Sequence, residues 1–143
     1  MISFSSQTSS VDVQTILEEN LEKKKKNLLT GSGQKTACIF IDDVNMPDMD
    51  DYGTQMPIEL LRQLVDYQGI FNRKGEWFWK DVAQWSMICA AAPPGGGRKE
   101  LTTRFTRHFN MICLPPTSKD SSDLIFKSIL NGYLKESNYK KAI

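Results

Sequence analysis

Cys38-Ile39-Phe40-Ile41-Asp42-Asp43 is the stretch on which the fold turns. With Thr36 and Ala37 before it, it forms a continuous apolar run rather than an alternating one. Such a run predicts a strand over residues 36–41 that is buried on both faces, as in a parallel sheet. It ends in two adjacent carboxylates, Asp42 and Asp43. Residues 44–55 are rich in Asp, Pro and Gly and read as a loop.

The flanking segments alternate in type. ISFS at residues 2–5 is a short strand, and Ser9 or Ser10 then caps a helix running to about residue 26. Val13, Ile16, Leu17 and Leu21 form its apolar face. Glu19–Lys23 and Glu22–Lys26 are spaced as helical ion pairs. The lysine run 23–26 reads as a solvated helix end near the negative pole of the dipole; it could also bind an anionic partner. Residues 29–35 are a loop. Pro57 opens a second helix with Ile58, Leu61 and Val65 on one face and Gly69 as its stop. Aromatic residues on both sides of Arg73-Lys74-Gly75 predict a hairpin over residues 69–82. QWSMICAAA at residues 84–92 is a third strand, broken by PPGGGR at residues 93–98. Residues 102–108 read as a short helix and residues 109–114 as a fourth strand. Ser118 or Asp120 caps a last helix carrying Ile125, Phe126, Ile129, Leu130 and Tyr133. Strands alternating with helices predict an α/β fold, with a parallel sheet and helices on both faces.

Composition narrows the function. The 143 residues suit about one domain. Lys plus Arg is 18 against 17 Asp plus Glu, so a basic nucleic-acid-binding surface is not expected. No apolar run approaches the ~20 residues of a membrane helix. The first ten residues lack the basic start and apolar stretch of a signal peptide. Cys38, Cys89 and Cys113 form no CxxC pair and lie in apolar runs, so they read as buried thiols rather than zinc ligands. Trp77, Trp79 and Trp85 read as hairpin and core residues, and the single His108 as structural.

In open α/β sheets, ligands bind beyond the carboxyl ends of the strands. Four apolar residues followed by two acids, as in CIFIDD, match the Walker B pattern. Asp42 would then hold Mg²⁺ through water, and Asp43 would orient a water attacking a γ-phosphate. The same residues also suit a strand followed by an Asp-rich turn. The glycines of PPGGGR could let backbone N–H groups approach phosphate, or simply make a turn. Arg104 and Arg107, three apart, share a helical face and could reach a neighbouring subunit's phosphate as an arginine finger, or could be surface cations. GSGQKT at residues 31–36 imitates a phosphate-binding loop, but Gln34 separates Gly33 from Lys35 and a strand follows where a helix is required. A Walker B strand without that loop leads us to expect a piece of a larger protein.

CIFIDDVNMPDMDDYGTQMPIELLRQLVDYQGIFNRK, AAAPPGGGR and TRFTRHFN together resemble dynein heavy chains, specifically the third AAA+ module of the axonemal type. The resemblance covers nearly the whole chain in one order. It implies a P-loop NTPase fold: a partial AAA+ large subdomain over residues 1–116 and the start of the small helical subdomain over residues 117–143. In the AAA+ sheet order 5-1-4-3-2, strands 2–5 would be present and the central strand 1 missing. By the same resemblance, Asp42 would take the Mg²⁺ role and Asp43 that of the catalytic acid, one methylene shorter than the usual glutamate. Ala92 would stand where a polar sensor residue is common. Arg104, and second Arg107, would be the finger serving the preceding module. ATP or ADP with Mg²⁺ would be the cofactors. Neighbouring AAA+ modules and dynein subunits would be the partners, and microtubules would be reached only through distant parts of the parent. The location would be the axoneme of a cilium or flagellum. A truncated stand-alone interaction or assembly module, without ATPase activity, is the competing reading.

Overall fold

A computed structural model of the protein describes residues 1–136. It divides into two compact units, Met1–Asn110 and Met111–Ile143. The first unit contains two sheets. A parallel sheet has the order β1-β4-β7, from β1 (Ile2–Ser3), β4 (Ala37–Asp42) and β7 (Trp85–Cys89). A mixed sheet has the order β2-β3-β6-β5, from β2 (Glu22–Lys25), β3 (Leu28–Thr30), β6 (Trp79–Ala83) and β5 (Gly69–Phe71).

β4 pairs in parallel with both neighbours: Ile2 faces Ile41, and Ala37 to Ile41 face Trp85 to Cys89 residue by residue. Ile39 and Ile41 point into the core. There they join Val13 and Leu17 of α1 (Ser10–Asn20) and Ile58, Leu61 and Leu64 of α2 (Met56–Tyr67). Helix α1 is opened by a reciprocal cap, in which Ser9 Oγ accepts from Asp12 N–H at 3.2 Å and Asp12 Oδ2 accepts from Ser9 N–H at 3.1 Å. Pro57 lies in the first turn of α2, and Gln68 ends that helix in the left-handed region at φ 54°. The expected glycine stop is displaced by one residue, because Gly69 opens β5 instead. A Cβ at Gly69 would sit 2.5 Å from Lys80 carbonyl oxygen, so only glycine allows this close pairing.

Several expectations need correction. The first helix ends at Asn20, not near residue 26. After Leu21 no apolar residue recurs at helical spacing until Leu28, so a longer helix would bury nothing. Residues 22–25 instead form β2, antiparallel to β3, with a bulge between Lys23 and Lys25. The helical pairs Glu19–Lys23 and Glu22–Lys26 are therefore absent; Lys26 meets Glu76 at 3.3 Å. An edge strand dense in lysine resists pairing with another chain. The loop expected over residues 29–35 contains β3 and a single turn, Ser32–Gln34. That turn opens β4 rather than a helix, so it cannot act as a phosphate-binding loop.

Within the first unit, the parallel sheet is covered on one face only. There, Cys38, Ser86 and Ile88 face outward and are exposed, so a continuous apolar run did not mean burial on both faces. No strand forms over residues 109–114. A strand is made by pairing, and no ladder includes residues 109–114 among the described residues. The outer edge of β7 is likewise without a strand partner there.

In the second unit, α4 (Lys119–Glu136) begins where Ser118 Oγ accepts from Ser121 N–H at 3.2 Å. Its residues Leu124, Phe126 and Ile129 are exposed. The expected small subdomain runs to residue 143, and residues 137–143 lie outside the described residues.

Leu61 of α2 is fully buried in the core that it shares with Ile39 and Ile41 of β4. Leu61→Ala should lower unfolding free energy by about 2–5 kcal/mol in urea denaturation. Leu124→Ala, at a position 68% exposed, should stay within about 0.5 kcal/mol of the parent.

Candidate functional site

The site is built by the backbone that follows β4. Asp42, half-buried, sits at the carboxyl end of the strand, and its Oδ1 accepts from Asp43 N–H at 3.1 Å. Asp43 has φ 51°, a left-handed conformation that aspartate tolerates better than most residues. The chain then folds back, with Met46 N–H donating to Asp43 carbonyl at 2.9 Å. Alignment with the neighbouring strand persists beyond the sheet: Ala90 N–H donates to Ile41 carbonyl at 2.8 Å, and Val44 N–H to Ala90 carbonyl at 3.0 Å.

Asn45, only 2% exposed, ties this turn to the segment after β7. Its Nδ2 donates to Ala92 carbonyl at 2.8 Å and to Lys99 carbonyl at 3.1 Å. Its main-chain carbonyl accepts from Lys99 N–H at 2.9 Å. Its Oδ1 is buried without a hydrogen-bond partner among the described residues. Three bonds from one residue therefore hold the two ends of the glycine loop together.

Between those ends, Gly95, Gly96 and Gly97 have φ of 128°, 58° and 91°, all in the region that side chains disfavour. Gly95 and Arg98 exchange both main-chain hydrogen bonds at 3.1 Å. This tight turn sends the Arg98 side chain back toward β4. Its Nη2 and Nε lie 3.3 and 3.4 Å from Asp43 Oδ1. Arg98 was not singled out from sequence. The available signal was its position closing a glycine turn at the end of the strand next to CIFIDD.

Arg104 and Arg107 lie on a different element, α3 (Thr103–Thr106) and its cap, anchored by the buried ring of Phe105. Arg104 is exposed and has no ion-pair partner among the described residues. Arg107 is engaged: its Nη2 lies 3.0 Å from Asp66 Oδ1. Asp66 also meets Arg62 Nη1 at 2.8 Å and His108 Nε2 at 2.9 Å. Burial opposes the charge on Asp66. Hydrogen bonds from Arg107 and Arg62, with the nearby His108, outweigh it and hold the carboxyl below its ordinary value. His108 thus has a structural partner at the junction of α2 and α3.

Among the described residues, no three His, Cys, Asp or Glu side chains cluster as a metal cage. The cysteines depart from expectation, since Cys38 and Cys113 are exposed. Cys89 is half-buried, and burial pushes its thiol up to about 12.

A parallel sheet delivering paired acids from its middle strand, beside a turn from the adjacent strand, is the framework of a P-loop type α/β domain. The chain belongs to the family described as the P-loop containing dynein motor region, which its residues 1–117 match. It is 51% identical over 135 residues to human dynein axonemal heavy chain 6, covering 94% of this chain and 3% of that protein. It is 37% identical over 146 residues to mouse dynein axonemal heavy chain 1, covering 99% of this chain and 3% of that protein. It is also 37% identical over 133 residues to the Chlamydomonas reinhardtii dynein-1-alpha heavy chain of the flagellar inner arm I1 complex, covering 93% of this chain and 3% of that protein. The chain thus spans a small fraction of the relatives it matches.

Because the folded state lowers the Asp66 pKa, the stability it contributes is present above the unfolded value of about 3.9 and is lost as pH falls through the folded value. Asp66→Asn should therefore melt lower than the parent at pH 7. The difference should close progressively below about pH 4, as read by thermal denaturation across pH.

Proposed function

We propose that this chain is the acid-bearing segment of a nucleotide-binding AAA+ module, the third of its ring, in an axonemal dynein heavy chain. Residues 1–116 are then part of the large α/β subdomain, and residues 117–143 begin the small helical one. The observation that carries the reading is the pair Asp42–Asp43 at the carboxyl end of β4, beside a β7 whose outer edge has no strand partner among the described residues. In this reading that edge receives the strand bearing the phosphate-binding loop.

The donor set suits Mg²⁺. Two adjacent carboxylates at a strand end offer the hard oxygen donors Mg²⁺ prefers, and water and substrate phosphate would complete its shell. Asp42 would hold it through water. The ion would supply charge neutralisation between the phosphates of ATP. Asp43 would orient the attacking water. Its side chain is one methylene shorter than glutamate, and a misplacement of about 1 Å costs on the order of 10²-fold in rate. Ala92 offers the site only a methyl group, and its carbonyl is already taken by Asn45. Both features favour a module that binds ATP or ADP and hydrolyses slowly, a regulatory rather than force-producing role.

Arg104 is the better candidate for the finger serving the preceding module, because it is exposed and unpaired among the described residues, whereas Arg107 is held by Asp66. The relatives are named as axonemal dynein heavy chains and as a heavy chain of a flagellar inner arm complex, which supports an axonemal dynein working with other subunits as the parent of this segment; ATP would drive that parent. The microtubule would be engaged by other parts of that parent.

Equilibrium binding of Mg·ATP tests the reading. A heavy-chain segment extended upstream through a strand and phosphate loop should bind, and Asp42→Ala should weaken it roughly 10–100-fold. Micromolar binding by the 143 residues alone, abolished by Asp42→Ala, would contradict a phosphate loop lying outside them and favour a self-contained module.

A further inference from the structure

Arg98 is carried on three successive glycines in left-handed conformations, with its turn closed by reciprocal bonds and its ends clamped by Asn45. This turn brings the guanidinium to one place. That place is Oδ1 of the second acid, at 3.3 and 3.4 Å, with both side chains about one-third exposed. Contacts this long and this open are weak. A weak pair in an otherwise pinned turn suits exchange between partners.

Resting on the nucleotide-site reading above, we propose that Arg98 latches Asp43 at rest and is handed over to the terminal phosphate of a bound nucleoside triphosphate. While Arg98 sits on Asp43 Oδ1, one carboxylate oxygen is engaged and the guanidinium competes with a water for it. A terminal phosphate presents three anionic oxygens and attracts a planar cation more strongly than one half-solvated carboxylate. Its arrival beyond the ends of β4 and β7 draws Arg98 away and frees Asp43. The diphosphate, lacking that group, leaves the latch closed. Arg98 would thereby supply, from the glycine turn, the polar contact that the methyl side chain of Ala92 cannot make.

A double-substitution cycle in the heavy-chain motor carrying this segment tests the latch, with ATP and ADP affinities of the module as the readout. Asp43→Asn weakens the resting pair and should tighten ATP binding by about threefold while leaving ADP binding unchanged. In an Arg98→Ala background the same substitution should no longer tighten ATP binding. Arg98→Lys, which keeps the charge but loses the planar fork, should retain part of the preference for ATP. Equal tightening in both backgrounds, or equal tightening of ATP and ADP, would overturn the latch. The Asp42→Ala variant separates the two ideas. If Asp42→Ala leaves Mg·ATP affinity unchanged, the nucleotide-site reading itself fails. If it weakens affinity while the cycle shows no coupling, only the latch fails.

Discussion

The parallel pairing of β4 on both its edges is the constraint from which the rest follows. Ile39 and Ile41 reach the core only in the register that sets Ile2 opposite Ile41 and Ala37 opposite Trp85. A slip of one residue would turn both outward and put Cys38 and Phe40 in their place, so burial enforces the register. Register, in turn, decides where the chain leaves the sheet. Asp42 stands opposite Ser3 in the last rung, and Asp43 begins the turn. The position of the two acids is thus a consequence of apolar packing beneath them, in a core that Ile39 and Ile41 share with Leu61, Leu64 and Ile58 of α2.

The loops beyond the strands inherit that order through main-chain bonds. Val44 and Ala90 continue the ladder between β4 and β7 past the end of both. Asn45 then spans to Ala92 and Lys99, which fixes the mouth of the glycine turn. A glycine-rich segment would otherwise carry the largest conformational entropy of any part of the chain. Here its ends are pinned and its middle closes on itself, so its flexibility is confined to the one side chain it projects. Arg98 meets Asp43 for this reason, although the two are far apart in sequence.

Much of this could be read from local periodicity. The β4 run, the Pro57 helix, the hairpin around Gly75 and the final helix each declare themselves within a few residues of their own sequence. The failures arose where the deciding partner is remote. Residues 22–25 are polar and fit a helix end, yet they pair with β3, which itself pairs in parallel with β6 far along the chain. Residues 109–114 have the apolar pattern of a strand, but a pattern supplies no hydrogen bonds, and these residues enter no ladder among the described residues. A continuous apolar run showed that β4 is central; it could not show that the Cys38 face lies open. Asp42 and Asp43 were legible because a strand end is a local feature. The reach of Arg98 was not, since it depends on three glycine dihedrals and a staple from Asn45.

The account is tested most directly by the structure of the intact heavy-chain motor trapped with a non-hydrolysable Mg·ATP analogue. It predicts a strand paired on the outer edge of β7, with its phosphate loop facing the ends of β4 and β7. It also predicts a metal ion one water away from Asp42. A nucleotide bound elsewhere, or a β7 edge closed by an element without a phosphate loop, would contradict it.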